Sequence, residues 1–272
     1  VDAARHFPLS TFFNTSAYGK LVRQMPDELA EIIDKVREVF QTANIPLDST
    51  TTDDRSTVAI IFERVNRQGV ELDTFQLLTA WTWSEDFQLQ DQFSDLSEEI
   101  KPFGFGDLGG DTNLILRCCS AILTGDASPD ALMSINGEQL RDNFDLVTNG
   151  IKGAIDFLRS NFHVQKLANM PFSTQLVPLS VFFAVKGTAQ PALTDQQRKI
   201  LSRWFWRSSF SRRYSSGVLR NLKADIEEMN KLKSASTNSL GDFSVSIPDD
   251  FFKKNIFGIG NVNSKTFILL LS

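Results

Sequence analysis

Histidine, cysteine and tyrosine are scarce in this sequence, with two of each in 272 residues. His6 and His163 stand apart, and neither is flanked by the His or Asn that a metal-assisted phosphodiester cut needs, so both are read as structural or exposed. Cys118 and Cys119 are adjacent in the apolar run "LILRCCSAIL". Neighbours on a helix point to different sides and close a disulfide poorly, so both are expected to be small buried residues in a reducing compartment. CxxC spacing, a Ser-His-Asp arrangement and a phosphate-binding glycine loop are all missing. "GFGDLGGD" at 104–111 is Gly-rich but follows no convincing strand, and is expected to be a loop. No run reaches the roughly eighteen apolar residues of a bilayer crossing, which predicts a soluble chain without a membrane partner, and the cysteine usage suits a cytoplasmic one. The chain opens at Val1 without Met and closes inside the apolar run "NSKTFILLLS". That is the pattern expected of a segment with neighbours on both sides.

What the sequence does hold is phenylalanine, 23 of them, within a 42% hydrophobic and 22% charged composition. Such a chain can build one large domain or two modest ones with an aromatic-rich core. The net charge is -5, unevenly spread. Residues 27–100 carry 17 Asp or Glu against five Lys or Arg, whereas "RKILSRWFWRSSFSRRYSSGVLRNLK", 198–223, carries eight Lys or Arg and no acid. The asymmetry points either to a polyanion partner or to packing between the two halves.

The periodicity is helical nearly throughout. After a short extended piece, "HFPLSTFFN", apolar residues at Leu29, Ile32, Ile33, Val36, Val39 and Phe40 predict an amphipathic helix from about Pro26 to Gln41. "NIPLDSTTTDD" reads as one extended segment. "STVAIIFERVNR" and "ELDTFQLLTAWTW" predict two helices joined at Gly69, and "NLILRCCSAILTG" a third ending at Gly125. "NGEQLRDNFDLVTNGIKGAIDFLRSNF" is a longer helical stretch that Gly150 and Gly153 are positioned to interrupt. "STQLVPLSVFFAVKG" predicts a buried helix kinked at Pro178. Residues 234–263, rich in Ser, Asn, Gly and Pro, read as loops around short elements. The fold class is therefore mainly α, a multi-helix domain with a small extended remnant near the N-terminus.

Within the basic run, Thr194 and Gln197 have capping-box spacing. Lys199, Arg203 and Arg207 follow at four-residue steps on one face, with Ile200, Leu201, Trp204 and Phe205 turned inward. After "SRRYSSG" a further helix begins, with Ser215 or Ser216 as its cap. A helix N-terminus beside Arg212, Arg213 and hydroxyl groups suits a phosphate, with Tyr214 as a stacking or positioning group. The other reading is an arginine-covered face paired with the acidic half.

Three segments resemble a known family. "IFERVNRQGVELDTFQL", with Glu63, Arg64, Asn66 and Gly69, is similar to a motif of the GmrSD-type restriction endonuclease N-terminal domain family. "QLVPLSVFFA" and "LSRWFWRSSFSRRYSSG" resemble elements downstream in the same proteins. The likeness covers most of residues 45–272. It implies a bacterial DNA restriction or phage-defence protein, with a ParB/sulfiredoxin-like nucleotide-binding domain, this helical region and often a C-terminal His-rich nuclease domain. The nucleotide motif D-G-Q-Q-R is absent, since "TDQQR" at 194–198 lacks the Gly and sits in a helix cap. The resemblance thus implies that residues 1–52 are the remnant of an α/β nucleotide-binding domain and 53–272 a helical domain. That domain would be without catalytic residues or a cofactor of its own, the NTP and divalent metal belonging to the full protein. Glu63, Arg64 and Asn66 would lie near the nucleotide-binding domain, and DNA and the flanking domains would be the partners. The alternative is a protein–protein interaction or scaffold module without nucleic-acid binding. An independent NTPase is a third reading, whose motif is missing.

Overall fold

The computed structural model describes residues 6–44, 51, 57, 61, 75–76, 78–79, 87–135, 137–187, 193–234, 239–254 and 256–272. The chain divides into two compact units, Val1–Asp53 and Asp54–Ser272. Among the described residues the fold is mainly α, with helices and short 3-10 turns and no strand.

In the first unit the piece expected to be extended instead closes a 3-10 turn, Leu9–Thr11. Pro8 starts it, and the Thr11 hydroxyl donates back to the Pro8 carbonyl at 2.7 Å, a local bond that competes with extended backbone. Asn14 then caps α1 (Thr15–Val22) by accepting from the Ala17 N–H. Helix α2 (Asp27–Thr42) follows Pro26 as its periodicity requires. Phe12 and Tyr18 are buried, Tyr18 donates to Asp34 at 2.5 Å, and Arg37 stacks over the Tyr18 ring at 4.0 Å while donating to the Phe12 carbonyl. Within the described residues of this unit the apolar stripe of α2 stays exposed, Ile32 at 55% and Val39 at 67%. Most of the segment 44–54, read as extended, lies outside the described residues.

In the second unit Phe75 and buried Leu78 are helical, with the Phe75 ring 5.1 Å from that of Phe93. Phe93 lies on α3 (Leu89–Ile100). After it, "GFGDLGGD" forms a 3-10 turn over Gly106–Gly110 that buries Leu108. Asp111 caps α4 (Thr112–Thr124) by accepting from the Leu114 N–H, and Gly125 ends it in the left-handed conformation. Helices α5 (Pro129–Met133) and α6 (Gly137–Asp142) are short, and α7 (Phe144–Phe162) is long. Asn143, not a glycine, separates α6 from α7.

Gly150 and Gly153 do not interrupt α7; they let α8 (Leu176–Phe183) approach it. A Cβ on Gly150 would lie 2.5 Å from the Ser180 carbonyl oxygen, and one on Gly153 2.7 Å from the Phe183 Cβ. All eight residues of α8 are buried, and it packs against α4, α7 and α10 (Val218–Lys233). Each large apolar side chain so buried contributes about 1.5–3 kcal/mol, which makes this short helix the centre of the core. The kink expected at Pro178 is absent, because the α-helix starts at Leu176 and Pro178 falls in the first turn, where a missing N–H costs nothing. Lys233 donates to the carbonyls of Val181 and Ala184 at the other end of α8. Burial lowers its amine pKa below the ordinary value.

The capping box at Thr194 and Gln197 opens α9 (Asp195–Phe210), and the chain closes with α11 (Phe251–Lys254) and α12 (Val262–Leu271).

Candidate nucleic-acid interface

The basic run occupies α9, the turn after it and the first part of α10. On α9, Leu201, Trp204, Phe205, Ser208 and Ser209 are buried, and Ile200 packs partly against the same core. Gln175, wholly buried just before α8, donates to Ser208 and Ser209 at 2.8 and 3.0 Å and ties the end of α9 to the start of α8. The opposite face carries Lys199, Arg203 and Arg207, whose surroundings differ. Lys199 is exposed. Arg203 pairs with Asp242 at 2.9 Å, both half in water. Arg207 is drawn down onto the chain, its Nε donating to the Gly241 carbonyl at 2.7 Å and its Nη2 to that of Phe243.

The turn between α9 and α10 is built around one carboxylate. Asp225 is 2% exposed. It accepts two bonds from Arg213, Nε to Oδ2 at 2.8 Å and Nη2 to Oδ1 at 2.9 Å, and a third from the Tyr214 hydroxyl at 2.6 Å. The Arg213 guanidinium also lies 4.1 Å above the Phe243 ring. A fork-on-carboxylate pair with a phenol is the arrangement that makes a buried charge tolerable. Burial, and after it the Asp225 charge, push the Tyr214 phenol pKa well above its ordinary value.

Arg212 has the opposite orientation. Its backbone is left-handed, φ 53°, and its side chain is exposed. Neither Ser215 nor Ser216 caps α10. The N-cap is Gly217, also left-handed at φ 59°, which makes no side-chain bond to the first N–H groups. Arg220, in the first turn of α10, is exposed too. Neither Arg212, Arg220 nor Lys199 has an ion pair among the described residues.

The expected six therefore divide. Arg207, Arg213 and Tyr214 face inward and hold the turn, whereas Lys199, Arg203 and Arg212 face water. Glu63, Arg64, Asn66 and Gly69 lie outside the described residues. Asp225 and Gln175 escaped the sequence reading. A signal for Asp225 existed: it shares the stripe Leu222, Ile226, Met229 and Leu232, and an acid in an apolar stripe needs a partner.

The remaining reactive groups are quiet. Cys118 and Cys119 are buried on α4, and burial raises the Cys118 thiol pKa to about 12. His163 ends α7 in the left-handed conformation. Among the described residues no three His, Cys, Asp or Glu side chains could hold a metal ion, and no helix is long and apolar enough to cross a membrane.

No family model matches the chain, and no solved structure matches it. It is similar to an uncharacterised protein of Methanocaldococcus jannaschii, 21% identical over 245 residues, or 84% of this chain. The chain spans about 40% of the length of that relative.

Proposed function

We propose that this chain is the helical region of a DNA restriction or phage-defence protein, coupling a nucleotide-binding domain to DNA and not itself catalytic. The family-like motifs at 61–77 and 201–217 motivate the reading. The observation that carries it is the turn between α9 and α10, where buried Asp225 holds Arg213 and Tyr214 while Arg212 and Arg220 project beside an uncapped helix start. A positive helix end with free N–H groups and two guanidiniums fits a backbone phosphate. Lys199 and Arg203 extend the positive face along α9. The NTP and the divalent metal would belong to other domains of the full protein.

The test is binding of a labelled duplex across a salt series, with Arg212→Ala, Arg220→Ala and Lys199→Ala variants. Each lost phosphate contact should lower the salt slope by about one. Absence of binding at low salt, or a slope unchanged in all three variants, would reject the DNA interface.

A second reading, an interaction module without nucleic-acid affinity, is favoured by the stripe of α2, where Leu29, Ile32, Val36 and Val39 stay exposed within the first unit. Failure of duplex binding together with self-association or partner capture lost on Ile32→Glu would select it.

A further inference from the structure

A cleft of about 650 Å³ runs along one face of α7, bounded by the end of α8, the start of α9 and the turn after α3. Its lining is about half apolar, with Phe103, Phe157, Phe183 and Leu193 among the apolar side chains. Its rim is cationic, with Lys152 and Arg159 from α7 and Arg198 from α9 against one acid, Asp156.

The three cations differ in how they are satisfied. Lys152 pairs with Glu99. Arg198 donates to the neutral Asn161 side chain at 2.8 Å and has no ion pair among the described residues. Arg159 is half-buried, and its Nε is fully buried with no hydrogen-bond acceptor among the described residues. Its guanidinium lies 5.2 Å from the Phe103 ring centroid, a contact that uses the face of the group and leaves its edge donors open. Asp156 is exposed and pairs with neither arginine. A buried donor without an acceptor is costly, and a part-buried guanidinium without a carboxylate is a charge awaiting one.

We propose that this cleft is a binding site for a small organic anion, a carboxylate or a phosphate joined to a flat apolar body. The anionic group would bridge the forks of Arg159 and Arg198, and the body would lie on Phe157 and Phe183. The size and the mix of apolar wall with convergent polar groups are those of a small-molecule site. The site stands apart from the turn between α9 and α10, so either proposal can fail without the other.

Two fluorescent probes with the same rings test it, the anion 8-anilinonaphthalene-1-sulfonate and the neutral N-phenyl-1-naphthylamine. The anion should bind the folded chain with defined stoichiometry and about tenfold or more tighter than the neutral probe. Arg159→Gln and Arg198→Gln should each remove most of that preference, while Lys253→Gln, remote in sequence and exposed, should leave it intact. Thermal melts of every variant report folding, and Arg198→Gln, at an exposed position, serves if Arg159→Gln does not fold. Displacement by 1-naphthyl phosphate or by 1-naphthoate supports the site and shows which anion it prefers. Equal binding of the two probes, a preference that survives both variants, or displacement by neither competitor overturns it.

Discussion

Arg213 and Arg159 are two guanidiniums drawn partly out of water, one in the turn between α9 and α10 and one in the cleft along α7. Arg213 meets the buried Asp225 carboxylate in a two-bond fork with a phenol beside it. Arg159 meets an aromatic face and, among the described residues, no acceptor for its buried Nε. The difference separates a charge that holds the fold from a charge that the fold holds ready. A satisfied ion pair stabilises its surroundings relative to the broken pair, whereas an unsatisfied one lowers stability and gains from a ligand.

The strongest challenge to that contrast is Arg213→Met. It leaves Asp225 buried and unpaired, and should cost about 3–5 kcal/mol in urea or thermal unfolding. Adding Asp225→Leu should recover much of the loss. A small effect of the single change would mean that water reaches Asp225 and that the turn is not held by the pair. Tyr214→Phe tests the same carboxylate more gently, with an expected loss of about 1.5–3 kcal/mol at neutral pH. The phenol pKa is raised in the folded chain, so the protonated group's contribution is complete below the ordinary tyrosine value of 10.0 and is lost as pH rises beyond it. Tyr214→Phe should therefore flatten the alkaline limb of the stability profile.

On the cleft side, Gly153→Ala places a methyl 2.7 Å from the Phe183 Cβ. Overpacking of the joint between α7 and α8 should cost about 1–3 kcal/mol, and the cleft floor should shift with it. Thr194→Ala removes the capping box at the start of α9, the helix that carries Arg198, and should cost about 1 kcal/mol. The gentlest change tests the contrast by its sign: Arg159→Met removes a buried donor without an acceptor and should leave stability unchanged or raise it by up to about 1 kcal/mol, in contrast to the loss at Arg213. A loss comparable to that at Arg213 would make Arg159 structural.

Much of the helical framework was legible. The stripe of α2, the capping box of α9 and the stop of α4 at Gly125 are local signals, and each depends on residues within about one helical turn. Pro178 and the pair Gly150 and Gly153 were misread, because the same residue types that break a helix also begin one or admit a neighbour. Their meaning depends on α8 lying against α7 at a distance no periodicity reveals. The candidate site was legible as a basic run and not as a division of roles.

Local pattern suffices to show a mainly helical chain, the start and stop of several helices, and a gathering of positive charge around α9 and α10. Folding decided that Arg212 faces water while its neighbour Arg213 is drawn largely out of it, its side chain 14% exposed. It also decided that Asp225, twelve residues further on, is the carboxylate that holds Arg213, and that Arg159 stands in a cleft without one. The cause is range: helix formation depends on bonds between residues about four apart, whereas the fate of a charge depends on which groups exclude water from it, and those come from distant parts of the chain.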